Sequence, residues 1–236
     1  MTRHIGALLP ATNTTIETEY SRLPQDILQF HYARCDKGGG SPFHPSKDED
    51  VAYQSKMLSK AKVEVIGLIQ TSASLFEDGY DARVKKLITD NSGIPALTSA
   101  EAMGAAAKAL GVKRVAIVTP YSTEVIQRAA DYYKTGFGLE AAALEAFQAT
   151  DAYAIFSLSA DNATAAFERL DSPDVEAFIV PGGNFQTMPH IDGWEKQFGK
   201  PVIATNPALV WASMNLLGIT DKLPGLGRLL AEMPKG

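Results

Sequence analysis

The sequence predicts an α/β protein of two pseudo-symmetric lobes, each a parallel sheet flanked by helices, with the active site in the cleft between them. Three observations predict this. Short apolar strands alternate with helix-period stretches, three segments recur in the same order in the two halves, and the chemistry-bearing polar residues fall just after strands. Strands joined through helices run in one direction, so the alternation implies parallel sheets. Right-handed crossovers then gather the functional loops at the carboxyl ends of the strands.

Residues 5–9 open the chain as a continuous apolar run closed by Pro10, which suits a strand buried on both faces. A second strand is read at 27–33, where Phe30 and Tyr32 bring β-forming side chains. Residues 49–61 carry no Gly or Pro and follow the helical period. The apolar run 63–69 is the next strand, ending at Gln70. Residues 100–110 are Ala-rich and read as helix; the β-branched run 115–118 reads as strand, and 123–135 as helix. The aromatic and apolar stretch 152–157 reads as a strand, 160–170 as a helix, and the short apolar runs 177–180 and 202–204 as the last strands.

The recurrence is specific. Ile5-Gly6-Ala7-Leu8-Leu9-Pro10 answers to Val115-Ala116-Ile117-Val118-Thr119-Pro120, and residues 64–71 answer to 176–183. Pro95-Ala96-Leu97-Thr98 followed by Leu110-Gly111-Val112 answers to Pro201-Val202-Ile203-Ala204 followed by Leu217-Gly218-Ile219. The offsets are 110, 112 and 107 residues. A duplicated lobe explains three echoes in register better than chance similarity among α/β units. The boundaries implied are 1–112 and 113–219, with the tail 220–236 packing back on the first lobe.

Composition bounds the partners. The chain has 236 residues, 45% hydrophobic and 21% charged, with net charge -5 and a pI near 5.4. With no basic run, nucleic acid is excluded as the main partner, while a small anion needs only a few N–H donors. No apolar stretch of about 18 residues is present to span a bilayer, and the start lacks the features of a signal peptide. One cysteine, Cys35, excludes an internal disulfide and a cysteine-based zinc cluster, so a reducing cytoplasm is expected. The histidines at 4, 31, 44 and 190 show no paired ligand spacing, and neither a phosphate loop nor a dinucleotide fingerprint occurs. No metal and no cofactor are therefore expected.

Four strand-end segments carry the chemistry. In Pro10-Ala11-Thr12-Asn13-Thr14-Thr15-Ile16-Glu17, Asn13 suits either a substrate carboxylate at a helix start or a plain cap with Glu17 completing a capping box. Gln70-Thr71-Ser72-Ala73-Ser74 concentrates an amide and three hydroxyls after a buried strand, as oxyanion donors or as another cap. Thr119-Pro120-Tyr121-Ser122-Thr123 puts a phenol at the position symmetric to Asn13, for substrate contact, proton transfer or packing. In Pro181-Gly182-Gly183-Asn184 the paired glycines let backbone N–H groups approach a ligand, or make a tight turn.

Together these residues resemble the aspartate/glutamate racemase superfamily, specifically its branch of maleate cis-trans isomerases and arylmalonate decarboxylases. The resemblance runs from Gly6 to Arg228. Asn13-Thr14-Thr15 is similar to the isomerases' carboxylate-binding motif. Thr71-Ser72-Ala73-Ser74-Leu75-Phe76 looks like the decarboxylases' Thr-Ser-x-Ser-Phe segment, Thr119-Pro120-Tyr121 like their tyrosine loop, and Pro224-Gly225-Leu226-Gly227-Arg228-Leu229 like their tail. The resemblance implies catalytic roles for Tyr121, Ser72 and Thr71, an oxyanion pocket completed by the N–H of Gly183, and substrate contacts from Asn13, Gln70, Ser122, Gly182, Gly183 and Asn184. It also implies a homodimer acting on a small carboxylate.

The departure lies where members of that family carry cysteines. Laid on the family motifs, Gln70 and Gly182 stand at those positions, and neither serves as a base near neutral pH. Cys35, His44 and His190 are the substitutes the sequence offers, and Gly182→Cys is expected to restore a thiol. The function expected is a cofactor-independent enzyme acting on a small carboxylate or dicarboxylate through an enolate-like intermediate, as a decarboxylase, other lyase or isomerase. The alternative is a non-catalytic carboxylate-binding protein or inactive paralogue.

Overall fold

The computed structural model describes residues 1–38 and 44–236. The first half runs β1 (Arg3–Pro10), α1 (Ile16–Tyr20), β2 (Leu28–Cys35), α2 (Asp48–Lys60), β3 (Val65–Leu68), α3 (Thr71–Phe76), α4 (Tyr80–Ser92), β4 (Ala96–Thr98) and α5 (Ser99–Ala109). The second runs β5 (Arg114–Thr119), α6 (Thr123–Phe137), β6 (Glu140–Ala146), α7 (Ala152–Phe156), α8 (Ala160–Leu170), β7 (Ala177–Val180), α9 (Ile191–Phe198), β8 (Val202–Ala204) and α10 (Thr205–Leu216), followed by α11 (Arg228–Glu232).

Among the described residues these strands make two four-stranded sheets, ordered β2-β1-β3-β4 and β6-β5-β7-β8. Every pairing is parallel. The second order is the first repeated, so the sequence echo is also an echo of topology. In each sheet the connections diverge at the central pair, β1 with β3 and β5 with β7. That divergence opens a crevice beyond the carboxyl ends of those strands.

One apolar core is shared by both halves, uniting Ile5, Leu9 and Val65 of the first sheet with Val115, Ile117 and Ile179 of the second. A second cluster, with Leu8, Cys35, Val51, Leu58, Ile66, Val84 and Ile88, fills the space between the first sheet and α2 and α4. The helix α10 follows the last strand yet packs on α5 and β3. A Cβ at Gly67 would stand 2.7 Å from Leu209 Cδ2, so glycine in β3 is what allows that helix to approach. Among the described residues no helix is long and apolar enough to cross a membrane.

One expectation needs correction. Residues 152–157 are not a strand: they hold the whole of α7 and its C-cap Ser157, and the helix start is capped by Asp151 Oδ1 accepting the N–H of Tyr153 and of Ala154, each at 2.9 Å. The outer strand is instead β6, whose Ala and Glu residues favour helix in isolation. Pairing along the whole of β5 overrides that preference. In the tail, the Arg228 N–H donates to Glu195 Oε2 of α9 at 2.6 Å, and the Pro234 carbonyl accepts from Trp211 Nε1 of α10, the helix that itself packs on the first half, at 2.8 Å.

Candidate active site

A small cavity of about 50 Å³ lies where the four strand-end segments meet, lined by Pro10, Thr12 and Asn13 after β1, Ile69 to Ser72 after β3, Tyr121 after β5, and Gly183 and Asn184 after β7. Lys37, Ala152 and Ile155 complete the lining. The pocket thus sits between the two divergence points of the sheets, which the doubly wound topology dictates. A wider groove of about 710 Å³ beside α4 and α6 is lined by Asp78, Asp81, Glu101 and Asp131 against Arg128. Its excess of carboxylates repels an anionic ligand, so the smaller pocket is the better anion site.

Cross-lobe hydrogen bonds fix its walls. Asn13 Oδ1 accepts the N–H groups of Thr15 and Ile16, each at 3.0 Å, which starts α1, while its Nδ2 donates to the Gly183 carbonyl at 3.2 Å. From the other lobe, Asn184 Oδ1 accepts the Thr14 N–H at 2.8 Å, and Nδ2 donates to the Ala152 carbonyl at 2.7 Å. The Thr15 hydroxyl donates to the Asn184 carbonyl at 2.8 Å. Asn13 thus supports the start of α1 while lining the pocket, and the capping box expected with Glu17 does not form: the N-cap is Thr15, and Glu17 pairs with Arg34 at 2.8 Å.

The donor side is built from Ser72 after β3 and Tyr121 after β5, which line the pocket from opposite halves of the chain. Burial pushes the Tyr121 phenol well above its ordinary value, and the nearby Ser72 hydroxyl opposes that only in part. The phenol is thus a neutral donor throughout the physiological range. Thr71 shares its hydroxyl with Ser99 at 2.8 Å and with Thr205 at 3.3 Å. Gln70 lines the pocket, but its side-chain amide binds Ser46 and the His44 carbonyl.

Five expected residues are not in the pocket lining. Ser122 caps α6, its Oγ accepting the Val125 N–H at 3.4 Å. The N–H of Gly182 is taken by Thr205 Oγ1 at 2.9 Å. Its φ of +148° and a Cβ direction that would meet Pro120 Cγ at 2.7 Å leave no room for a side chain. Cys35 is buried in the cluster against α2, and burial pushes its thiol up to about 12. His190 precedes α9 at the surface beside Trp194, and partial burial lowers its imidazole. His44 is exposed; the rest of its loop expected over the cleft, 39–43, lies outside the described residues.

Sequence reasoning missed Lys37, among the described residues the one charged side chain lining the pocket. Its only signal was its place two residues beyond the second strand. Also missed was a buried carboxylate behind the fourth segment. Glu19 accepts the N–H groups of Thr187 at 2.7 Å and Met188 at 2.9 Å and the side-chain amide of Asn206. That same amide donates to the Gly183 carbonyl at 3.2 Å.

Comparison with known proteins agrees with this architecture. A family model described as arylmalonate decarboxylase matches residues 45–230. The chain is 29% identical to a maleate isomerase of Alcaligenes faecalis, covering 98% of this chain and 97% of that one. It is 28% identical to an arylmalonate decarboxylase of Bordetella bronchiseptica, covering 97% and 96%. Among solved structures, a cysteine-to-alanine variant of the maleate isomerase Iso from Pseudomonas putida S16 with maleate superposes with a TM-score of 0.83 at 25% identity, covering 98% of each chain. Unliganded arylmalonate decarboxylase superposes with a TM-score of 0.78 at 26% identity, covering 98% of this chain and all of the other.

Proposed function

Because the chain belongs to the arylmalonate decarboxylase family, we propose that it is a cofactor-independent enzyme acting on a small carboxylate or dicarboxylate through an enolate-like intermediate, without a catalytic cysteine pair. The observation that carries this reading is the meeting of Ser72 and Tyr121, from opposite halves of the chain, on the lining of the interlobe pocket, with Gly183 on the same lining. Donors from both halves converge where charge would develop. Each such preorganised donor is worth on the order of 3 kcal/mol when the charge forms in a water-poor site.

Loss of carbon dioxide fits these residues better than racemisation. The departing carboxylate leaves its electron pair on the adjacent carbon, and conjugation moves the charge onto the oxygens of the carboxylate that stays. Ser72, Tyr121 and the Gly183 N–H stabilise those oxygens, and Thr71 holds the start of α3 in place through Ser99. A reversible two-base exchange would need thiols on opposite faces of the substrate. The chain has one cysteine, Cys35, buried away from the pocket, and we assign Gln70 and Gly182 to the positions where the cysteines of relatives fall.

The test is incubation in heavy water with substituted malonates, maleate and 2-hydroxy or amino diacids, following carbon dioxide, isomers and deuterium by NMR. Turnover is expected, retained in Cys35→Ala and lost in Tyr121→Phe and Ser72→Ala. Tight binding of these acids with no turnover would instead identify a carboxylate-binding protein.

A further inference from the structure

The reaction just proposed ends with a carbanion that needs a proton, and the groups expected to supply it are not in the lining: Cys35 is in the core, His190 sits at the start of α9, and His44 is exposed, with its carbonyl held by Gln70. Among the described residues, two titratable ones line the pocket, Tyr121 and Lys37. Burial drives the phenol far from any pH at which it would release a proton. Partial burial moves the Lys37 ammonium the other way, toward easier release.

The backbone of Lys37 is held on the pocket. Lys37 forms an antiparallel bridge with Ser46, and the Gly38 N–H donates to the Pro45 carbonyl at 2.9 Å. Ser46 is in turn held by Gln70. The nearby acids are engaged away from the cavity: Asp36 pairs with Lys47 at 2.6 Å, and Asp50 Oδ2 accepts the Asp36 N–H at 2.8 Å. Among the described residues, the side chains that other elements bring to the lining are neutral, Asn13, Thr71, Ser72, Tyr121, Ile155 and Asn184 among them.

We propose that Lys37 is the proton donor of this pocket, its ammonium facing the substrate carboxylates and protonating the carbanion left by decarboxylation. The inference rests on the reading of the pocket as a decarboxylating site. The step balances without a redox partner. The bond from the α-carbon to the departing carboxylate breaks, and its electron pair is delocalised onto the remaining carboxylate. An N–H bond of Lys37 then breaks as a new C–H bond forms at that carbon, leaving a neutral amine that regains a proton from water.

Lys37→Arg and Lys37→Met separate charge from proton transfer, because a guanidinium keeps the charge and does not give up its proton. The substrate is a malonate bearing two different substituents, whose product is chiral, and binding is measured with malonate itself by calorimetry. Lys37→Arg is expected to bind malonate within threefold of the wild type, to lose at least 100-fold in kcat, and to give a racemic product where the wild type gives one enantiomer. Lys37→Met is expected to lose at least tenfold in malonate binding as well. Turnover by both variants within threefold of the wild type, with the same enantiomer, overturns the assignment while leaving the decarboxylase reading intact. Absence of turnover by the wild type overturns that reading, and the proton-donor role with it.

Discussion

The side-chain oxygen of Gln70 accepts two hydrogen bonds from Ser46, one from its N–H at 3.0 Å and one from its hydroxyl at 2.9 Å. The other end of the same amide donates to the His44 carbonyl at 2.8 Å. A residue at the end of β3 therefore secures the segment that bears Lys37. Gln70→Ala strands a buried N–H and a carbonyl, at about 1–3 kcal/mol, and lowers the melting temperature by roughly 2–4 °C per kcal/mol for a chain of this size. Hydrogen exchange at the Ser46 amide should accelerate in the variant. Exchange unchanged from the wild type would show that the tether does not hold this segment.

Gly182 is shaped by its backbone as well as by the absence of a side chain. At φ +148° an added Cβ would meet Pro120 Cγ at 2.7 Å and Cδ at 2.8 Å, both ring atoms that cannot rotate away. Gly182→Ala is expected to cost about 1–3 kcal/mol, seen as a lower denaturant midpoint with unchanged slope. Gly182→Cys carries the same strain, so the expectation that it restores a working thiol is replaced by one of a destabilised protein. A Gly182→Ala variant as stable as the wild type would mean that Pro120 moves easily.

Glu19 predicts a pH dependence. Burial raises its pKa above the ordinary 4.5, outweighing the hydrogen bonds from Asn206, Met188 and Thr187 that favour the charged form. A carboxyl raised in the folded state contributes stability that is fully present below 4.5 and lost as pH rises through the folded value. Glu19→Gln removes that loss. The variant keeps an oxygen for Thr187 and Met188, while its new amide faces the Asn206 amide, donor against donor, which adds a cost that does not vary with pH. Melting curves from pH 4 to pH 8 should show Glu19→Gln gaining on the wild type as pH rises; parallel curves would mean that Glu19 folds with an unshifted pKa.

What the sequence could and could not show follows from range. The strand ends were legible because buried parallel strands are continuous apolar runs, and Pro10, Gln70, Pro120 and Pro181 mark where each stops. The exchange of β6 with α7 was not legible. Glu140 to Ala146 is strand only because β5 offers an open edge, and 152–157 is helix because Asp151 caps it, so local preference misleads in both places. Lys37 carries no pattern of its own, since its position depends on a bridge to Ser46 and on a glutamine 33 residues away. The link from Glu19 to Asn206 spans 187 residues and leaves no local trace.

The Tyr121 phenol gives the last prediction. Because burial keeps it protonated well past neutrality, its contribution is donation of a hydrogen bond to a developing oxyanion, and the wild-type rate should show no limb from its ionisation up to pH 9. Tyr121→Phe removes the donor while keeping the ring that packs in the core. A loss of about 10²–10³ in kcat is expected, with malonate binding little changed, since the donor acts mainly on the charge formed in the transition state. Ser72→Ala should produce a comparable loss, and the double variant should lose less than the product of the two, because both hydroxyls line one pocket and are proposed to act on the same developing charge. Independent, multiplicative losses would show that Ser72 and Tyr121 act on different parts of the substrate, and a Tyr121→Phe rate within threefold of the wild type would remove the phenol from the reaction.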